Sequence, residues 1–199
     1  MKQASDAELI AELSPAQRGV FSTGDLRTAL AERHPTAFGR RVGRLLDRGV
    51  LTRFTRGYYV ARDFELPVLS QRIAPESCIS FETVLARELV IGTNPTRRVV
   101  ATKIGRTRSY RGHGFEVEHV GLSPHLAFGF HALDGVRYAD LEKAVLDVLY
   151  FHLRGRRYAF DLYSDMNLRK LDRDRIGRYL KRYRNPKFVA FARGVLERS

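Results

Sequence analysis

The stretch TAFGRRVGRLLDRGVLTRFTRGYYVA, Thr36 to Ala61, decides how the rest of the chain is read. Phe38, Val42, Leu45 and Leu46 recur at helical spacing and gather on one face, while Arg40, Arg41, Arg44 and Arg48 fall largely on another. Gly49 stands where a helix closes in a left-handed residue, which glycine adopts without a Cβ clash. Val50 to Phe54 and Tyr58 to Val60 then flank Thr55-Arg56-Gly57, a strand-turn-strand pattern with glycine at the turn. A basic amphipathic helix followed at once by a basic, aromatic hairpin predicts a winged helix-turn-helix. Four arginines against the single acid Asp47 favour DNA contact over a merely solvated helix face.

Upstream, Ser5 is an N-cap candidate followed by Asp6 and Glu8, and Leu9, Ile10 and Leu13 form a short stripe before Ser14-Pro15, beyond which a second turn of helix can run to Gly19. Val20 to Thr23 reads as extended, and a helix starting at Thr23 or Asp25 turns Leu26, Ala29 and Leu30 inward before His34-Pro35. Three short helices and a hairpin place a first domain at residues 1–64, with Glu65-Leu66-Pro67 as the boundary and a second domain at 65–199.

Pro67 to Ile73 reads as a connector, and Ser80 as the cap of a helix from Phe81 to Leu89 that Gly92-Thr93-Asn94-Pro95 stops. Short β segments follow at Arg98–Thr102, Thr107–Tyr110, Phe115–Val120, Leu126–Phe130 and Val136–Tyr138. Asp140 opens the best helix of the chain, with Leu141, Ala144, Val145, Val148 and Leu149 on one stripe, expected to pack on the sheet. A basic helix is expected from Asn167 to Lys181, and a last one around Phe188 to Val195. The predicted class is α+β: a winged helix-turn-helix, then a mixed α/β domain with a small, mostly antiparallel sheet and C-terminal helices.

The 199 residues are 44% hydrophobic and 29% charged, an ordinary globular balance, but the formal net charge is +13. Such a surplus points to a polyanion, and nucleic acid is the commonest inside a cell. Eleven Lys and Arg face seven Asp and Glu up to Phe64, and twenty-four face fifteen beyond it, so most of the surplus belongs to the second domain. No apolar run approaches the roughly 20 residues of a membrane span, and the acids in MKQASDAELIAEL argue against export. Cys78 is the one cysteine, which removes a disulfide framework and suits a reducing cytoplasm.

Candidate chemistry is sparse. His113, His119, His125 and His131 recur every six residues, a spacing that matches neither helix nor strand, and read as turn and surface histidines rather than a metal site. Glu116 and Glu118 share one face of a strand, as a metal-dependent nuclease would want, but Val120 stands where such a centre places lysine. Lys143 and Asp147 are spaced to pair along a helix. No nucleophile elbow, phosphate loop or dinucleotide fingerprint occurs, so no enzyme, cofactor or metal is expected. Arg97, Arg98, Lys103, Arg106, Arg108 and Arg111 form a tract without an acid, suited to DNA phosphates or to a protein partner.

The order of these elements resembles the AbiEi antitoxins. Arg56-Gly57-Tyr58-Tyr59-Val60 is similar to that family's wing, Ile79 to Leu85 to the helix opening its second domain, and Thr102 to Arg111, with Gly105-Arg106-Thr107-Arg108, to its Arg/Thr-rich β segment. Ala139-Asp140-Leu141-Glu142-Lys143-Ala144-Val145-Leu146-Asp147-Val148-Leu149-Tyr150 is similar to its signature helix, except that Leu141 replaces a common proline. The resemblance implies a cytoplasmic antitoxin and transcriptional autorepressor of a bacterial phage-defence operon of the type IV-like toxin-antitoxin kind. It would bind inverted repeats in its own promoter, counteract a nucleotidyltransferase-like toxin, and be a monomer in solution with two copies on DNA, or a weak dimer. On that reading Thr36, Arg40, Arg41, Arg44 and Arg48 on the helix and Arg53 and Arg56 on the wing meet double-stranded DNA. The rivals are a toxin-gripping protein with secondary DNA binding and a nuclease using Glu116 and Glu118.

Overall fold

The computed structural model describes residues 5–93 and 96–197. Helix α1 (Asp6–Gln17) starts in a reciprocal capping box between Ser5 and Glu8 and runs through Pro15. The further turn of helix beyond Ser14-Pro15 is present, and it closes past the proline with Gly19 N–H on the Ser14 carbonyl at 2.9 Å. Strand β1 (Val20–Ser22) leads into α2 (Thr23–Leu30), whose cap is Ser22, paired reciprocally with Asp25. Helix α3 (Pro35–Asp47) begins on proline, where a missing N–H costs nothing. Gly49 follows at φ +67, as its position predicts. Strands β2 (Thr52–Thr55) and β3 (Tyr58–Val60) form the hairpin, and β1 joins its other side in the order β1-β3-β2.

This three-stranded sheet is buried on both faces. Phe21 turns into a core with Ile10, Leu26, Leu30, Phe38, Val42, Leu45 and Leu51. Its neighbour Val20, with Val60 and Phe54, turns the other way into the core of the second half. The residues up to Ala61, here the head, are thus packed onto the remainder, the body.

The chain enters the body without a free linker. Glu65 N–H bonds the Arg18 carbonyl at 3.1 Å, and the Glu65 carboxylate takes the Arg18 guanidinium. The segment expected as a connector is helix α4 (Leu66–Ile73), inserted between head and body. Four of its eight residues are buried. Arg72 reaches the Val20 carbonyl at 3.0 Å and Asp25 at 2.7 Å, and Tyr58 donates to the Arg72 carbonyl at 2.7 Å.

The body sheet contains β4 (Cys78–Ile79), β5 (Arg98–Ile104), β6 (Arg108–Gly112), β7 (Phe115–Leu122), β8 (Phe130–Leu133) and β9 (Val136–Ala139). Their order is β6-β7-β5-β4-β9-β8. The sheet predicted to be small and mostly antiparallel is six-stranded and mixed, since β5–β7 and β4–β9 pair in parallel. Predicting alternation strand by strand carries no information about such crossovers. Leu126 lies in a 3-10 turn, and the strand expected there begins only at Phe130. Helices α5 (Phe81–Arg87) and α6 (Leu141–Leu153) pack against each other. Glu142 to Leu149 of α6 are all buried, with α7 (Arg173–Leu180) and α8 (Pro186–Glu197) behind it. The helix expected from Asn167 starts at Arg173, because Asp172 caps it and Leu168–Lys170 is a separate 3-10 turn. The Asn94-Pro95 stop lies outside the described residues.

Candidate nucleic-acid interface

The burial of Phe38, Val42 and Leu45 fixes which way α3 faces. Thr36, Arg40, Arg44 and Arg48 are exposed, and Arg40, Arg44 and Arg48 stand one turn apart along the helix. None of these arginine side chains has an ion-pair partner among the described residues. Arg41 has a different place. Its Nε sits 3.0 Å from Asp6 Oδ2, a terminal nitrogen meets Asp6 Oδ1, and the other donates to the Leu30 carbonyl at 2.8 Å. This hydrogen-bonded guanidinium holds the Asp6 carboxyl below its ordinary range. Arg41 therefore ties α3 to α1 and α2 and does not present itself outward with its neighbours. Arg27, which the pattern does not single out, lies over the Phe38 ring at 4.6 Å and props the start of α3 from α2.

Arg53 and Arg56 are exposed on the β2–β3 hairpin, as their positions predict. The body reaches this hairpin through the β6–β7 turn. His113 Nε2 donates to the Arg53 carbonyl at 3.2 Å. A Cβ on Gly112 would come within 2.8 Å of the Phe54 carbonyl oxygen, so only glycine permits this approach. Phe64 bridges the halves, with its ring 6.4 Å from Phe54 and 5.0 Å from Phe115. His113 joins the surface through a contact sixty residues away in sequence, and no local pattern announces it.

The body's basic tract divides in two. Arg97, Arg106 and Arg108 are exposed without an ion-pair partner among the described residues, and Arg111 is exposed although paired with Glu116 at 3.1 Å. Lys103 is partly buried, 3.9 Å from Glu76. Arg98 is half-exposed but fully engaged, meeting Glu82 at 3.1 Å, Glu116 at 3.6 Å and Glu118 more closely still. Arg156 grips both Glu118 oxygens at 2.8 Å. Burial alone would push the Glu118 carboxyl up, but Arg156 and Arg98 outweigh it and hold it low. The face shared by Glu116 and Glu118 is thus filled by guanidinium groups where a nuclease would place metal.

The evenly spaced histidines do not converge. His131 pairs with Asp140 at 3.3 Å on an exposed edge. His119, expected at a turn or the surface, is fully buried on β7, with Nε2 3.0 Å from the Ser70 hydroxyl of α4. Burial lowers its pKa to about 4. Lys143 and Asp147 do pair, but in the interior, where Asp147 also accepts from the Ser80 hydroxyl at 2.7 Å. No helix among the described residues is long and apolar enough to cross a membrane.

No family model matches the chain, and no curated protein matches it in sequence. Among solved structures, the crystal structure of the RV2827C protein from Mycobacterium tuberculosis is similar, with a TM-score of 0.63. The match covers 99% of this chain and 78% of that one at 13% identity, which speaks for a shared fold alone.

Proposed function

We propose that the chain is a DNA-binding transcriptional autorepressor whose head is a winged helix-turn-helix, with α3 as the reading helix and the β2–β3 hairpin as the wing. The observation that carries this is the row Arg40, Arg44 and Arg48, exposed on α3 with no carboxylate partner and set beside a hairpin that displays Arg53 and Arg56. An unpaired guanidinium suits the O6 and N7 acceptors of guanine in the major groove, and wing arginines suit phosphate or the minor groove. Arg108, at the opposite end of β6 from the turn docked on the wing, is a further exposed cation suited to phosphate. The second half of the reading rests on the AbiEi resemblance: an antitoxin of a type IV-like phage-defence operon, paired with a nucleotidyltransferase-like toxin.

The test is a gel shift on the DNA upstream of the gene, with Arg40→Ala/Arg44→Ala against wild type. A bidentate base contact is worth about 1–3 kcal/mol, so binding to the specific site falls at least tenfold. Unchanged affinity would remove α3 from the interface. Arrest of growth by the neighbouring gene product, relieved by co-expression of this chain, tests the antitoxin half.

A further inference from the structure

The body encloses a space that DNA binding does not use. A cavity of about 230 Å³ lies at the ends of β5 and β7, walled by Leu122, Leu126, Phe128 and Ala139. Cys78 and Thr102 line it from β4 and β5, and α6 contributes Lys143 and Asp147. Their side chains are 3% and 1% exposed. An ion pair in such a place costs more than apolar side chains of the same shape, so its retention calls for a reason. Asp147 is satisfied, with one oxygen on Lys143 and the other on the Ser80 hydroxyl. Lys143 is not: an ammonium has three N–H donors, and beyond Asp147 its one other partner among the described residues is the Phe128 ring, 5.2 Å from Nζ. At the mouth, Arg137 lies over the Phe130 ring at 5.4 Å and Lys103 stands 3.9 Å from Glu76. Three cations therefore face two carboxylates around an apolar chamber.

We propose that this cavity is a binding site for a small aromatic carboxylate. Its ring would lie among Leu122, Leu126 and Phe128, and its carboxylate would take the spare donors of Lys143, with Arg137 closing the mouth. The size agrees, since a cavity of about 150 Å³ accepts benzene and the space here leaves room for a carboxylate on the ring. The site stands independently of DNA binding.

The probes are benzoate and salicylate, with benzyl alcohol as the neutral ring control, titrated into the full chain by ligand-observed NMR and thermal melting. Benzoate or salicylate binds saturably at one site and raises Tm, and benzyl alcohol binds at least tenfold more weakly. Ala127→Trp, at an exposed lining position, plugs the chamber and abolishes binding without lowering Tm. Because Lys143→Ala alone would strand Asp147, the second variant is Lys143→Met/Asp147→Leu, which keeps the shape and removes both charges. It brings benzoate down to the benzyl alcohol level. Absence of saturable carboxylate binding at millimolar concentration overturns the proposal. So does equal binding of the neutral control, or benzoate binding that survives both variants.

Discussion

Arg44 and Arg98 are the same residue in basic stretches of similar density, yet they have opposite fates. Arg44 is exposed on α3 with no ion-pair contact among the described residues, because the apolar stripe of that helix has turned it outward. Arg98 sits on a strand whose same-face neighbours are Glu116 and Glu118, and it is spent holding the sheet together. Arg41 and Arg40 repeat the contrast one residue apart, the first bound to Asp6 and the second open. A count of arginines measures charge, but its availability depends on carboxylates brought in from elsewhere in the chain.

The contrast is testable from its strongest side downward. Lys143→Ala leaves Asp147 charged, buried and uncompensated, and should cost about 3–5 kcal/mol in urea denaturation. A loss under 1 kcal/mol would mean the pair is more open than its burial shows. Arg44→Ala removes an exposed group and should leave stability within about 0.5 kcal/mol of wild type, while weakening DNA binding. Equal losses of stability from Arg44→Ala and Arg98→Ala would erase the distinction between the two residues. His119 gives a pH signature. With its folded pKa lowered to about 4, the unfolded chain takes up its proton first as pH falls below the ordinary histidine value. Stability therefore falls on acidification from about pH 6.5 towards the folded pKa, and His119→Gln should flatten that slope. Arg41→Ala gives a modest loss. Its pair with Asp6 is about one-quarter exposed on each side, so screening keeps the loss near 1 kcal/mol. Asp6 is held low, so this contribution exists at neutral pH and disappears as pH drops through the folded carboxyl pKa. Melting at pH 7 and pH 3 should show a smaller wild-type advantage at the lower pH.

The parts legible in sequence were those decided locally. The spacing of Phe38, Val42 and Leu45 gave the exposed face of α3, and Gly49 and Gly57 marked the ends of helix and hairpin. Three features escaped for the same physical reason. Helix α4 buries four of its eight residues, the parallel pairing of β5 with β7 is a crossover, and the Asp6–Arg41 bond spans thirty-five residues. Each is settled by a partner far along the chain. The Lys143–Asp147 spacing was visible, but its burial depends on elements on every side of α6.

The shared sheet has one more consequence, for anyone who would transplant the head. With Val20, Phe54 and Val60 rooted in the body core and Arg72 locked across the seam, residues 5–61 cannot be lifted out like a cassette. A graft of another head must keep those three apolar positions and Gly112 of the recipient body. Exchange is confined to the outward face of α3 and the tip of the hairpin.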